Sequence, residues 1–183
     1  MDPVRILARL RVPLGFASAA IVFWLAQPTA ASLLIGGLIA ALGEGLRIWA
    51  SGHLNKSREV TASGPYRLFA HPLYVGSAIM GGGLAVASAS IAVAAIVLLY
   101  LASTIGAAIR SEERFLRGKF GAAYDTYRRG GTQDPVAASR RFSLAQAKAN
   151  REYRAAAGLV AAVLLLCLKA AYNGVFWRTA GTP

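Results

Sequence analysis

Two short groups of residues in this sequence carry side chains that could take part in chemistry. In the first, His71 stands directly before Pro72, and Tyr74 follows. Proline is favoured at the first position of a helix, so His71 is predicted to lie at the helix N-cap. The free N–H groups of such a first turn attract carboxylates and other anions. A titratable ring, a phenol and an anion-binding helix end together predict a binding site.

The second group is the carboxylate pair Glu112 and Glu113, with Arg110 just before it. The pair lies where an apolar helix is predicted to continue into water. Four basic residues surround it, so a solvated network of salt bridges is the structural alternative to a functional role.

The elements that must position these groups are apolar helices. Five apolar segments are visible, at about residues 12–26, 30–50, 72–87, 91–109 and 155–172. Ser88-Ala89-Ser90 predicts a tight turn between the third and fourth segments, which would make them a helical hairpin. A helix needs roughly 20 residues to cross the hydrocarbon core, so the first, third and fifth segments are short for a span. We therefore expect an all-α, polytopic membrane bundle of about five transmembrane helices.

Composition supports a membrane protein of one domain, residues 1–183. The chain is 56% hydrophobic, and its net charge of +12 is confined to the gaps between apolar segments, which argues against nucleic-acid binding. Eighteen of the twenty Lys and Arg residues fall on one predicted face. The positive-inside rule then predicts a cytoplasmic N-terminus and an external C-terminus. We expect the membrane to be a bacterial-type inner membrane. Both chemical groups would share the cytoplasmic face.

With the elements in place, two motifs resemble those of a known superfamily. Residues 61–67 and 71–76 resemble the loop of the isoprenylcysteine carboxyl methyltransferases and the related phospholipid N-methyltransferases. Glu112-Glu113, followed by Phe120-Gly121 and paired tyrosines, resembles their second motif. Both motifs occur in the family's order, with a helical hairpin between them. The resemblance covers about residues 42–135; an amphipathic segment, 136–154, and an extra C-terminal span, 155–172, follow it.

The resemblance implies an integral membrane methyltransferase that uses S-adenosyl-L-methionine and acts on a lipophilic acceptor, among membrane lipids. Its cytoplasmic pocket would be built from the loop before the third span and the end of the fourth. By the resemblance, the catalytic candidates are Arg110 and Glu112. The cofactor-binding candidates are Val60, Thr61, Tyr66, His71, Pro72, Tyr74, Glu112 and Glu113. No metal site is predicted.

The sequence departs from the family pattern at two positions. Ala70 replaces the arginine usual before His-Pro, and Ala108 stands where the carboxyl methyltransferases place an arginine for the substrate carboxylate. The acceptor thus stays open between an isoprenylcysteine-type carboxylate and a phospholipid-type amine. A nicotinamide-dependent membrane reductase with a related loop and a non-catalytic lipid-binding protein are the alternative functions.

Three further interpretations concern polar and aromatic residues near these motifs. Glu44 and Arg47, spaced i, i+3 near the cytoplasmic end of the second span, are predicted to form a structural ion pair with Arg47 extended toward the interface. A functional role for ionisable residues at that depth is the alternative. His53 is predicted to be solvated, because no motif surrounds it. Tyr124 and Tyr127 are interpreted as anchors at the membrane interface.

Overall fold

A computed structural model describes residues 20–56, 58–131 and 135–176. These residues form helices and connecting segments, with residues 20–25 helical at the start. The longer helices are α1 (Ala30–His53), α2 (Pro72–Ala87), α3 (Ile91–Phe120) and α7 (Tyr153–Tyr172). Between α3 and α7 lie the short helices α4 (Ala122–Arg128), α5 (Pro135–Ser139) and α6 (Leu144–Ala149), and a 3₁₀ helix spans Gly64–Arg67 before α2.

Helices α1, α3 and α7 are each long and apolar enough to cross a membrane, whereas α2 is a shorter apolar helix. Within the described residues the regular elements are all helices, which confirms the predicted all-α class. Three of the five predicted spans have candidate helices, and the third segment is short, as the sequence indicates. Of the first predicted segment, residues 12–26, the structure describes residues 20–26, of which 20–25 are helical.

Helices α1 and α2 pack at close range because small residues face each other along both. A Cβ atom added to Gly43 would lie 2.5 Å from the Met80 backbone N and 2.7 Å from the Gly76 carbonyl oxygen. A Cβ atom on Gly36 would overlap the backbone of Gly83 and Ala87. Such small-residue interfaces allow helix backbones to approach closely in a membrane.

The start of α1 is held by a reciprocal cap that also touches the end of α2. Thr29 Oγ1 accepts a hydrogen bond from Ser32 N at 3.1 Å, and Ser32 Oγ accepts one from Thr29 N at 2.9 Å. Ser32 Oγ also lies 3.1 Å from the Ala87 carbonyl oxygen, to which it can donate. A tight turn at Ser88 and Ala89 then reverses the chain into α3, as predicted.

The segment between α4 and α7 lies beneath the carboxyl end of α1. Asn150 Nδ2 donates to the carbonyl oxygens of Ser51 and Leu54, at 2.8 and 2.9 Å. Gln146 Nε2 donates to Leu54 O at 2.9 Å. These side chains satisfy carbonyl groups that a helix end leaves without intrahelical partners. The predicted amphipathic segment, residues 136–154, contains most of α5, all of α6 and the first two residues of α7.

Candidate functional site

The imidazole of His71 stands at the start of α2, as the His-Pro pair predicts. His71 is the N-cap residue and its side chain makes no capping hydrogen bond, while Pro72 occupies the first turn and is buried. The His71 carbonyl accepts from the backbone N–H groups of Tyr74 and Val75, both at 3.1 Å. The ring is therefore free to face a neighbouring helix.

That neighbour is the far end of α3, which carries the two glutamates. His71 Nε2 lies 3.3 Å from Glu113 Oε1, and His71 Nδ1 lies 3.8 Å from Glu112 Oε2. The Glu112 side chain is 41% exposed, whereas that of His71 is 11% exposed. Glu113 is thus the nearer and more buried partner of the imidazole, and Glu112 is the carboxylate that a ligand can reach.

Aromatic side chains enclose this His–Glu cluster. The Tyr74 ring centroid lies 5.8 Å from that of His71, and its hydroxyl reaches the Glu112 carboxylate. Burial raises the pKa of Tyr66, and the negative charge of Glu112 adds to the shift. The Tyr66 phenol therefore stays neutral at physiological pH.

Helix α4 closes the cluster from the other side. Gly121, at φ 50°, separates α4 from α3. Tyr127 Oη donates to the Tyr66 carbonyl at 2.9 Å and lies 3.4 Å from that of Phe69. Burial raises the pKa of Tyr127 to about 12. The interpretation of Tyr124 as an interfacial anchor is wrong, because Tyr124 is only 1% exposed and packs beside Tyr127 within the protein.

Basic residues surround the carboxylates at the rim. Arg128 Nη2 lies 3.5 Å from Glu113 Oε1, and Arg117 Nη2 lies 4.0 Å from Glu113 Oε2. Arg117 also pairs with the exposed Asp125, at 3.5 Å. The salt-bridge network that the sequence allowed is therefore present at Glu113, while the more exposed Glu112 faces the tyrosines.

A cleft of about 490 Å³ opens beside the cluster. The loop between the 3₁₀ helix and α2 forms one wall, and the end of α4 with the glycines after it forms the other. Its lining includes Ala62, Tyr66, Phe69, Ala70, Tyr127 and Arg128. Ala70 faces this space. Because alanine stands here in place of the arginine usual before His-Pro, no long side chain at this position narrows the cleft.

A second, apolar groove runs between α2 and α3 with a volume of about 790 Å³. It extends from Ser90, the N-cap residue of α3, along that helix to Ile109, and on α2 it reaches Ala78. Ile109 stands one helical turn before Glu112, and Ala78 one turn after Tyr74. The groove therefore ends next to the polar cluster.

The remaining predicted site residues lie at different distances from this cluster. Val60 is half-buried, and Thr61 is buried with its Oγ1 accepting from Asn55 N at 3.3 Å. Arg110 is exposed. The contacts within the described residues gather Tyr66, His71, Tyr74, Glu112 and Glu113, and the Arg110 side chain takes part in none of them.

The prediction that His53 is solvated is also wrong. His53 is buried, 6% exposed, and not solvated. Its Nδ1 lies 3.1 Å from Ser63 Oγ, and the Arg140 backbone is a further hydrogen-bond partner. The ring lies against Gly64, at φ 54°, where an added Cβ would come within 2.5 Å of it. His53 therefore holds the start of the site loop.

The arrangement can bind ligands of both charges. The exposed Glu112 carboxylate and the faces of Tyr66 and Tyr74 suit a cation, and the first turn of α2 suits an anion. Within the described residues, no group of three or more His, Cys, Asp and Glu side chains is placed to hold a metal ion.

Comparison with known proteins gives a family and two relatives. The phospholipid methyltransferase family model matches residues 32–123. The nickel-cobalt-cadmium resistance protein NccN of Alcaligenes xylosoxydans xylosoxydans is 36% identical over 103 residues, 55% of this chain and 48% of NccN. The cobalt-zinc-cadmium resistance protein CzcN of Cupriavidus metallidurans is 36% identical over 89 residues, 48% of this chain and 40% of CzcN.

The chain thus matches less than half the length of either curated relative. No solved structure matches it. The family match begins within α1 and ends within α4, so it contains the His71–Glu112–Glu113 cluster.

Proposed function

Because this chain belongs to the phospholipid methyltransferase family, we propose that it is an integral membrane methyltransferase that uses S-adenosyl-L-methionine and acts on a lipophilic acceptor. The observation that carries the proposal is the meeting of His71 with Glu112 and Glu113 at the open end of an apolar helical hairpin.

The residues present fit the cofactor by the chemistry of their side chains. When bound, S-adenosylmethionine supplies a methyl group on a cationic sulfonium. Glu112, which is half-exposed, and the aromatic faces of Tyr66 and Tyr74 offer stabilisation of a positive charge. The N–H groups at the start of α2 offer a site for its carboxylate, and the cleft lined by Tyr66 and Tyr127 offers space beside them.

The protein's part in such a transfer is alignment and the exclusion of water. In-line displacement needs little acid or base help when the acceptor is already an anion or a free amine, and alignment can lower the barrier by several kcal/mol. The His71 imidazole lies between Tyr74 and Glu113 and fixes the positions of these two side chains next to the ligand. Arg110 is exposed and, within the described residues, is not an ion-pair partner of Glu112 or Glu113, so we assign it no part in the transfer.

The apolar groove supports a lipophilic acceptor. Its lining is Ala, Val, Leu and Ile apart from two glycines and one serine, and it ends one helical turn from Tyr74 and Glu112. An acceptor whose chain lies in this groove would reach the cluster from the lipid and need not pass through water. We further propose that the cluster faces the cytoplasm, where the cofactor is available, on the basis of the basic residues around it.

The first test is cofactor binding by purified full-length protein. Calorimetry with S-adenosylhomocysteine should show binding, and Glu112→Ala and His71→Ala should each weaken it by about 10- to 100-fold, because each removes a charged or hydrogen-bonding partner. Asp125→Asn is the matched control: it removes an exposed carboxylate on the same face, and we expect less than about a twofold change.

Absence of binding by the wild-type protein would refute the proposal. A bound nicotinamide found by mass spectrometry would favour a membrane reductase instead. Cofactor binding without labelled product from native lipid extract would favour a non-catalytic lipid-binding protein. A labelled product would identify the acceptor as a carboxylate or an amine.

A part in metal resistance is a second candidate function, favoured by the identity to NccN and CzcN. Cells lacking the gene should then tolerate less cobalt and cadmium, and the wild-type gene should restore growth. Failure of Glu112→Ala to restore it would link resistance to methyl transfer. Full restoration by Glu112→Ala would separate the two.

A further inference from the structure

Arg47 is a charged side chain placed inside the otherwise apolar contact between α1 and α2. Its side chain is 19% exposed, and its stem passes over Gly76, where an added Cβ would lie 2.6 Å from Arg47 Cγ. The guanidinium then reaches α2 itself. Arg47 Nη1 donates to Ser77 Oγ and lies 3.4 Å from the Leu73 carbonyl oxygen.

These acceptors belong to the part of α2 that carries the candidate site. Leu73 lies between His71, the N-cap residue, and Tyr74, and Ser77 is one turn further on. The glutamates of α3 contact the same turn through His71. The beginning of α2 is thus held between Arg47 of α1 and Glu113 of α3.

The rest of the α1–α2 contact is formed mainly by small residues, with a second hydrogen bond from Ser32 Oγ to the Ala87 carbonyl at the opposite end of α2. These small residues include Gly36, Ala40 and Gly43 against Gly76, Gly83 and Ala87, and such residues have no side chains that interlock along the helix axis. At the end of α2 that carries the candidate site, the hydrogen bonds from Arg47 therefore fix the position of the helix along its axis.

The charge of Arg47 is balanced by two buried carboxylates. Arg47 Nη2 lies 2.7 Å from Glu152 Oε1, and Arg47 Nε lies 3.5 Å from Glu44 Oε2. Glu44 and Glu152 are 5% and 7% exposed, and Glu152 is the N-cap of α7. Among side chains, only the planar guanidinium, with its five N–H donors, can pair with carboxylates on one side and donate hydrogen bonds to α2 acceptors on the other.

We propose that Arg47 is a positioning residue of the candidate site, which fixes the first turn of α2, and with it His71 and Tyr74, against α1 and α7. Glu152 lies beyond the family match, which ends at residue 123. The C-terminal helix is thereby connected to the site through one ion pair. The use of the site for methyl transfer rests on the proposed function, but the positioning itself does not.

Histidine NMR of the full-length protein tests the positioning directly. The chain has only two histidines, so selective labelling gives signals for His71 and His53 alone. Ser77→Ala removes one α2 acceptor of Arg47 without changing charge, and with it the hydrogen bond from Ser77 Oγ to the Leu73 carbonyl at 2.8 Å. Arg47→Lys keeps both the charge and the Ser77–Leu73 bond but lacks the planar guanidinium, so it isolates the contribution of Arg47. Both variants should shift the His71 signal and leave the His53 signal in place. Ser103→Ala, which removes a hydroxyl that bonds the Tyr100 carbonyl at 3.0 Å on α3, is the matched control.

Calorimetry with S-adenosylhomocysteine adds a functional measurement. We expect Ser77→Ala and Arg47→Lys to weaken binding by about three- to tenfold, the effect of one lost hydrogen bond, and Ser103→Ala to leave it unchanged. Wild-type His71 signals in both variants would overturn the proposal and assign Arg47 to charge compensation only. If the wild-type protein binds no S-adenosylhomocysteine, the proposed function fails, while the histidine signals still decide the role of Arg47.

Discussion

At the scale of single residues, Tyr127 shows how α4 controls the loop before His71. Its hydroxyl donates to the Tyr66 carbonyl at 2.9 Å, close to that of Phe69 as well. Tyr127→Phe should lower the free energy of unfolding by about 1 kcal/mol, since it leaves these carbonyls without their donor. Chemical or thermal unfolding in detergent measures the change. An unchanged midpoint would mean that water replaces the phenol at no cost.

The same hydrogen bond gives a pH dependence with a defined sign. The pKa of Tyr127 is raised by burial to about 12, above the usual value of about 10. Its contribution to stability is therefore complete below about pH 10 and is lost as the pH rises through about 12. The difference in midpoint between wild type and Tyr127→Phe should shrink across that interval. A constant difference would contradict the assignment.

The environment of a residue could be predicted from the sequence where its neighbours in the chain determine it, and could not where a distant segment does. His71 could be placed at an N-cap because Pro72 follows it, and the motif order linked it to Glu112 and Glu113. His53 has no such local signal. It is buried because Ser63 and the backbone of Arg140 pack against it and bond to its ring, and residue 140 is far away in the sequence.

At the scale of secondary structure, the α1–α2 contact depends on glycines at specific positions. Gly43→Ala should destabilise the protein by about 1–3 kcal/mol, because the new methyl group meets the Met80 backbone N at 2.5 Å and forces the helices apart. Gly45→Ala, two residues away with no atom within 4 Å of its added Cβ, is the control. It should be neutral or stabilising by up to about 1 kcal/mol. Equal effects of the two variants would contradict close packing at Gly43.

The elements themselves were largely predictable, whereas the contacts of the C-terminal ones were not. Hydropathy and the prolines indicate α1, α2, α3 and α7 to within a few residues. Nothing local in residues 136–154 indicates that Gln146 and Asn150 bond carbonyls at the end of α1. Nor does the sequence reveal that Glu152 pairs with Arg47. These contacts join residues about 90 or more apart, so only the folded chain displays them.

At the scale of the whole molecule, the α2–α3 hairpin separates the candidate site from the Ser88–Ala89 turn. Helix α3 has 30 residues, about 45 Å at 1.5 Å per residue, which exceeds a hydrocarbon core of about 30 Å. Its last turns, with Glu112 and Glu113, can therefore emerge on the side opposite the turn. The basic residues around the site and the uncharged turn agree with a cytoplasmic site and an external turn.

This orientation can be measured because the chain has a single cysteine, Cys167. In a Cys167→Ser background, Ala89→Cys places a thiol in the exposed turn, and Arg129→Cys places one on the exposed end of α4 near the site. A membrane-impermeant maleimide applied to intact cells with a permeable outer envelope should label Ala89→Cys only. Arg129→Cys should react only after the inner membrane is lysed. Its reaction after lysis is the control which shows that this thiol is accessible to the reagent. The reverse pattern would place the cluster outside, where S-adenosylmethionine is not supplied, and would count against both the orientation and the proposed cofactor.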